Sequence, residues 1–118
     1  MKPPAPGRSL SAAVLSRDPA VVAAYINDPL VYHGPMPENH SMRGMMSILA
    51  DQAWKIKLPV LVMAGTGGTD GSRCRALYDL VGSEDKTLKL YPGLLHEIFN
   101  EPEHLQVMAD MEKFFVAH

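Results

Sequence analysis

His96 is the residue of this sequence best placed for acid-base chemistry. It follows the segment Lys86–Tyr91, whose alternating side chains predict a strand that Pro92 and Gly93 then end. Ligands of open α/β sheets bind beyond the carboxyl ends of the strands, where an imidazole can act as general base or general acid. A single loop histidine is also often a capping or surface residue, so the sequence leaves both interpretations open.

Asp70 is the candidate acid partner of this histidine. It lies in the loop that follows the preceding predicted strand, where a carboxylate can accept the Nδ1 proton of the histidine and stabilise the imidazolium ion. An aspartate directly before Gly71 is equally suited to cap the helix predicted to begin there. The two roles do not exclude each other.

A serine nucleophile to complete such a site is not found in these residues. The 118 residues contain no Gly-x-Ser-x-Gly motif, and we assign no segment early in the chain to the His-Gly type that supplies the backbone donors of an oxyanion hole. Ser72 follows Gly71 but has no glycine two residues later. We interpret Ser72 as a residue of a helix start.

The glycine-rich loop from Gly65 to Gly71 also invites a phosphate-binding interpretation. Glycines between a strand and a helix let backbone N–H groups approach a pyrophosphate. Here Asp70 occupies the place of the third glycine, and its charge repels phosphate. The second strand ends in Tyr91 and Pro92 rather than in an acidic residue for a ribose, so nucleotide binding is the weaker alternative.

The elements that carry these loops form a predicted β-α-β-α unit. The continuous apolar run Leu58–Ala64 indicates a strand covered on both faces, with Pro59 tolerated only at its start. A helix with Cys74, Leu77, Tyr78 and Val81 on one face follows and ends at Gly82. Glu101 and Pro102 open a last helix, for which the spacing predicts an inward face of Leu105, Met108, Met111 and Phe115.

The first half of the chain is predicted to be helical. A proline-rich arm, residues 1–7, precedes a helix capped by Asp18 with Pro19 in its first turn and with Asn27, Asp28 and Pro29 at its end. A second helix is predicted from about Glu38 to Trp54. Its stripe of Met42, Met45, Met46, Leu49 and Ala53 is typical of core packing, and an adaptable acyl-chain surface is the alternative.

Two strands joined through a helix imply parallel pairing with a right-handed crossover. Two parallel strands alone leave backbone groups and apolar surface uncovered, since a stable sheet normally needs three or more strands. We therefore expect another segment, a second copy of the chain, or further strands to complete the sheet.

Composition narrows the classes of function. The hydrophobic content of 47% and charged content of 20% are those of a single globular domain, and the net charge of −2 gives no reason to expect nucleic acid. The single cysteine, Cys74, excludes an internal disulfide framework and fits a cytoplasmic location. We predict no metal site or cofactor, and membrane contact that is peripheral at most.

Several segments together resemble one enzyme family. Glu84–Gly93 followed by His96–Glu103 resembles the C-terminal signature of the monoacylglycerol lipases and lysophospholipase-like serine hydrolases of the α/β-hydrolase superfamily. Leu58–Gly65 resembles the penultimate strand of that family, and Ser16–Pro19 with Asn27–Gly34 resembles the stretch that leaves its lid. The resemblance covers about three quarters of the chain and is weakest over residues 35–57.

The resemblance implies a partial α/β-hydrolase fold, with residues 1–57 as a lid-derived helical segment and residues 58–118 as the C-terminal part. It implies a serine esterase acting on a glycerol ester, with His96 as general base and no cofactor. Asp70 then His96 follows the family order of acid and base, but the family acid is expected at Gly68, so Asp70 must act from a shifted loop. The alternative is an inactive truncated hydrolase that serves as a dimerisation or interaction module.

Overall fold

The computed structural model describes residues 11–34 and 42–118 and contains a partial α/β fold built on a parallel sheet. The elements occur in the order α1, α2, β1, α3, β2 and α4. Their bounds are α1 Pro19–Asn27, α2 Met42–Gln52, β1 Val60–Gly65, α3 Ser72–Leu80, β2 Lys86–Tyr91 and α4 His104–Ala117. The predicted β-α-β-α order of the second half is confirmed.

The two strands pair in parallel, with Val60 opposite Lys86 and Gly65 opposite Tyr91. The Val60 N–H donates to the Asp85 carbonyl, so the even-numbered residues of β1 direct their backbone groups towards β2. The backbone groups of Leu61 and the alternate residues after it face the opposite edge of the sheet. No strand among the described residues pairs with that edge, as the sequence led us to expect.

Helices cover both faces of this small sheet. On one face the Lys86 ammonium group donates hydrogen bonds to the carbonyls of Tyr78 and Val81 at the end of α3, at 2.7 and 3.0 Å. On the other face Asp110 of α4 accepts a hydrogen bond from the Tyr91 hydroxyl at 2.8 Å and pairs with Lys89 at 2.9 Å. The continuous apolar pattern of β1 follows from this two-sided cover.

The inward face of α4 differs from the prediction. Leu105, Met108 and Phe115 are 72%, 47% and 67% exposed, and of the predicted set only Met111 is partly buried. The face that packs inward instead carries Val107, which is fully buried, with Asp110, Met111 and Phe114. Apolar spacing alone could not select between these overlapping faces, because the hydrogen bond and the ion pair of Asp110 fix the rotation of the helix.

The N-terminal helices follow the predicted pattern where they are described. Asp18 caps α1 by accepting a hydrogen bond from the Ala20 N–H at 2.8 Å. The predicted start of the second helix near Glu38 lies outside the described residues, and α2 is followed by a 3-10 turn with a buried Ala53. The domain boundary at residue 57 stays a prediction.

The loop after β2 packs directly on the glycines that follow β1. A Cβ atom on Gly67 would lie 2.4 Å from the Gly93 carbonyl oxygen, and one on Gly65 would lie 2.3 Å from the Leu94 carbonyl oxygen. The Gly67 N–H donates to the same Leu94 carbonyl at 2.7 Å. The loop that carries His96 therefore depends on the absence of side chains at the end of β1.

Replacing Gly67 with alanine is expected to lower the free energy of unfolding by about 2 kcal/mol, because the new methyl group collides with rigid backbone. Gly68→Ala is the matched control, since its Cβ would meet only a Leu95 methyl carbon at 3.8 Å and should change stability by less than about 0.5 kcal/mol. Urea unfolding followed by circular dichroism measures both. Equal stability of the two variants would contradict the packing described here.

Candidate functional site

His96 lies on the surface, five residues beyond the end of β2. Its backbone N–H donates to the Val14 carbonyl at 3.2 Å, so the main chain is held while the side chain is exposed. Among residues 11–34 and 42–118, no hydrogen bond involves its imidazole ring. The ring is thus accessible to a substrate or to a partner group from outside the described residues.

Three consecutive backbone N–H groups fix the conformation around this histidine. The Leu95 N–H donates to the Glu101 carboxylate at 2.9 Å, and the Glu97 N–H donates to the Leu15 carbonyl at 2.8 Å. The His96 N–H lies between them, bound to Val14. With every N–H in this stretch engaged, the backbone at His96 has little freedom although the residue lies in a loop.

Glu101 is the buried centre of this arrangement. Its side chain is fully shielded from solvent, and it accepts hydrogen bonds from the Arg17 backbone N–H at 2.5 Å and from the Arg17 Nε at 2.8 Å. Burial alone would raise the pKa of the Glu101 carboxyl, but the Arg17 guanidinium and the N–H groups of Leu95 and Arg17 outweigh burial and lower the pKa to about 2. Glu101 is therefore ionised at neutral pH.

The segment before α1 is joined to the same loop by further contacts. The Ser16 hydroxyl donates to the Asn100 carbonyl at 2.9 Å and accepts from the Asp18 N–H at 3.0 Å. Arg17 also forms an ion pair with Glu103 through its Nη2. The Ser16–Pro19 motif and the Glu101–Glu103 motif, far apart in sequence, thus form one contact surface.

Asp70 precedes Gly71, the N-cap residue of α3, and makes no hydrogen bond to His96 in this structure. Its carboxylate accepts from the Ser72 N–H at 2.9 Å, and that bond lowers the pKa of Asp70 below its ordinary value. The loops that carry the two residues do touch, through the Gly67 and Leu94 contact described above. The structure brings the loops together but not the two side chains, and the acid role of Asp70 stays a prediction.

The position where the resemblance expects an acid has room for a side chain. A Cβ on Gly68 would meet only a Leu95 methyl carbon at 3.8 Å, and Gly68 does not adopt a left-handed conformation. Gly68 thus faces the side chain of Leu95, the residue that precedes His96. An acidic side chain would therefore be tolerated there.

The phosphate-binding alternative gains no support from the glycine-rich loop. The N–H groups of Thr66 and Gly67 donate to the carbonyls of Tyr91 and Leu94, and the Ser72 N–H donates to Asp70. Gly71 adds a contact from its N–H to the Thr69 hydroxyl at 3.4 Å. A phosphate would have to displace these bonds before the same N–H groups could hold it.

His118 and Asp85 form a histidine–carboxylate pair at the other end of the sheet. His118 Nε2 is 2.6 Å from an Asp85 carboxylate oxygen, and the Phe114 carbonyl and Asp85 both raise the pKa of His118. Asp85 precedes β2, so this pair sits at the amino ends of the strands. It fastens the end of α4 to the turn before β2 and lies at the wrong edge for a site at the carboxyl ends of strands.

An apolar groove runs between β1 and α4. Its walls are Val60, Leu61 and Met63 of β1 and Met111, Phe114 and Phe115 of α4. The groove begins at Pro59, directly before β1, whereas His96 lies beyond the opposite ends of the strands. We therefore associate the groove with the unpaired edge of β1 rather than with the surroundings of His96.

Residues 11–34 and 42–118 were also considered as possible sources of a metal site or a membrane span. In those ranges no three histidine, cysteine, aspartate or glutamate side chains lie close enough to hold a metal ion. None of the helices described there combines the length and the apolar character needed to cross a bilayer.

The ion pair between Arg17 and Glu101 was not predicted from the sequence. Both residues lie in motifs that the family resemblance singles out, but they are 84 positions apart in the sequence, and no local pattern indicates that they pair. The available signal was a glutamate at the start of a helix, which is ordinarily read as a capping residue. Only the folded chain shows that this carboxylate is buried against an arginine.

The chain is similar to known hydrolases over most of its length. Residues 3–103 match the family model Hydrolase_4, described as serine aminopeptidase, S33. The chain is 41% identical to a monoacylglycerol lipase of Mycolicibacterium smegmatis over 124 aligned residues, which are 100% of this chain and 44% of the relative. It is 30% identical to a caffeoylshikimate esterase of Arabidopsis thaliana, over 83% of this chain and 32% of that protein.

Solved structures give the same result for the fold. The monoacylglycerol lipase of Paleococcus ferrophilus superposes with a TM-score of 0.80 at 32% identity, over 95% of this chain and 47% of that one. A soluble variant of the Saccharomyces cerevisiae monoglyceride lipase, in complex with a substrate analogue, gives 0.78 at 26% identity, over 94% and 41%. The chain spans less than half the length of these relatives.

The low pKa of Glu101 predicts that the stabilising effect of the Arg17–Glu101 ion pair is lost at acid pH. Because the folded-state pKa of about 2 lies below the ordinary value of 4.5, the unfolded state binds more protons between these values. The stabilising contribution of Glu101 is fully present above pH 4.5 and is lost as the pH falls towards 2.

We expect Glu101→Ala to lower the free energy of unfolding at pH 7 by about 3 kcal/mol, because buried N–H donors and Arg17 lose their partner. We also expect this difference from the unmodified chain to shrink as the pH falls from 4.5 to 2. Chemical unfolding at several pH values measures it. Glu112→Ala removes an exposed carboxylate of α4 as a control, and a pH-independent effect of Glu101→Ala would contradict the assignment.

Proposed function

This chain belongs to the serine aminopeptidase S33 family of α/β-hydrolases, and from that premise we propose that it supplies the general base, His96, of an esterase that cleaves glycerol monoesters. The observation that carries the proposal is the placement of His96. Its backbone is fixed by bonds on both sides, and its imidazole is exposed beyond the carboxyl end of β2. The nucleophilic serine would come from a segment outside these 118 residues.

The proposed reaction needs no cofactor. His96 takes the proton of the serine hydroxyl while the serine oxygen bonds to the ester carbonyl carbon. The protonated imidazole then gives that proton to the leaving glycerol oxygen as the ester bond breaks, which leaves an acyl-enzyme. Water then gives a proton to the same imidazole as its oxygen bonds to the acyl carbon, and the imidazolium returns that proton to the serine oxygen as the acyl bond breaks and the fatty acid leaves.

The substrate class rests on the relatives. The protein of Mycolicibacterium smegmatis and the structures from Paleococcus ferrophilus and Saccharomyces cerevisiae are named as lipases of monoacylglycerol or monoglyceride. The Arabidopsis thaliana relative is named for a different ester, caffeoylshikimate, so the shared chemistry is cleavage of a carboxylic ester. We take a monoacylglycerol as the first substrate to test.

A chimera tests the role of His96. This chain replaces the matching 44% of the Mycolicibacterium smegmatis lipase, and hydrolysis of a monoacylglycerol is measured. His96→Ala is expected to lower kcat by at least about 10³-fold, since the proton acceptor for the nucleophile is lost. His118→Ala removes a histidine that already pairs with Asp85 and should leave kcat unchanged. Near-normal turnover of the His96→Ala chimera would refute the assignment.

The acid of the proposed site can be identified in the same chimera. Asp70→Asn retains a side-chain oxygen that caps α3 but removes the negative charge. If Asp70 serves as the acid, kcat should fall by about 10³- to 10⁴-fold without loss of thermal stability. Adding Gly68→Asp to this variant should restore activity, because the site at Gly68 has room for the side chain. Unchanged kcat in Asp70→Asn would restrict Asp70 to capping.

The alternative function is an interaction module without turnover. It is favoured by the unpaired edge of β1 and the apolar groove beside it. The isolated chain can be treated with a fluorophosphonate probe and examined by analytical ultracentrifugation. Labelling at a serine would support an enzyme, whereas absence of labelling together with a concentration-dependent dimer would support the module.

A further inference from the structure

The contacts between the segment before α1 and the loop of His96 form a continuous connection. On one side lie Val14, Leu15 and Arg17, and on the other lie the residues from Leu95 to Glu101. The Glu101 carboxylate is common to both sides. Its Oε1 binds the Arg17 N–H, and its Oε2 binds both the Arg17 Nε and the Leu95 N–H.

We propose that Arg17 and Glu101 are positioning residues that hold His96 in place and couple it to the segment leading into α1. The proposal rests on the function proposed above for His96. Neither residue reaches the reacting atoms in this arrangement, since Glu101 is fully buried and acts on the residue that precedes His96. Their effect passes through the backbone of the loop.

The geometry favours an ionised carboxylate at this position over other polar groups. Both carboxylate oxygens face N–H donors and neither faces an acceptor. A glutamine at position 101 would turn its NH₂ group towards at least one of these donors, which would break that bond and place two donors against each other. Glu101→Gln therefore disturbs the loop although it matches the size of the glutamate.

Arg17 can be replaced without creating a cavity in the core. Its side chain is 41% exposed, and it binds Glu101 and Glu103 at the same time. Arg17→Gln removes the charge and leaves the backbone N–H of residue 17 on Glu101. Lysine at this position keeps the charge but lacks the forked donor geometry, so Arg17→Lys should rescue only part of the effect.

The test measures hydrogen exchange of individual amides by NMR in the full 118-residue chain. We expect Arg17→Gln to speed exchange at Leu95, His96 and Glu97 about tenfold or more, while exchange at Val62 in β1 stays unchanged. Lys113→Gln is the control, because it removes an exposed positive charge of α4 and leaves the Arg17–Glu101 pair intact. Glu101→Gln should produce a larger change at the same three amides.

Two outcomes would overturn the proposal. One is unchanged exchange at the three loop amides in both variants. The other is an equal increase at Val62 and at the loop, which would show that the pair only stabilises the whole fold. Rapid exchange confined to the loop, with partial recovery in Arg17→Lys, supports the proposal.

The chimera separates this proposal from the function on which it rests. There, Arg17→Gln should lower kcat about tenfold with KM unchanged, because the base is displaced while substrate contacts remain. A chimera that is inactive with the unmodified segment would refute the proposed function, and the exchange experiment would still decide whether the pair positions His96. An active chimera whose kcat is insensitive to Arg17→Gln would refute the positioning role alone.

Discussion

The buried carboxylate of Glu101 is the interaction on which the arrangement of this chain depends. A carboxylate shielded from water is unfavourable unless charge and hydrogen bonds compensate for the lost hydration. Here an arginine side chain and two backbone N–H groups provide that compensation, and they come from opposite ends of the described sequence. The packing of the N-terminal segment and the conformation of the histidine loop therefore form as one unit.

This dependence explains how a residue in a loop can have a fixed backbone. Loops normally have more conformational freedom than the strands they follow. The loop of His96 is restrained by the buried core of Leu94, Ile98 and Val107 beneath it and by the glycines of the neighbouring loop beside it. The side chain of His96 nevertheless remains exposed, so a fixed backbone is combined with an accessible imidazole.

Most elements could be predicted because their signals are local. The alternation in Lys86–Tyr91 gave β2 with its observed bounds, and Asp18 with Pro19 marked the start of α1. The predicted start of β1 came two residues early, because Leu58 and Pro59 continue the apolar run without joining the ladder. Partners distant in sequence could not be predicted. Asp110 sets the rotation of α4, and Arg17 compensates the charge of the buried Glu101. The spacing of apolar residues in the sequence indicates neither contact.

The two edges of the sheet differ in their side chains. β1 is apolar on both faces and turns the backbone groups of Leu61, Met63 and Gly65 outwards, whereas β2 carries Lys86 and Lys89. Lysines on a strand disfavour the approach of another strand, while a free apolar ladder templates one. We therefore expect any further strand of this sheet to pair with the β1 edge, beside the parallel ladder that joins Val60 to Lys86.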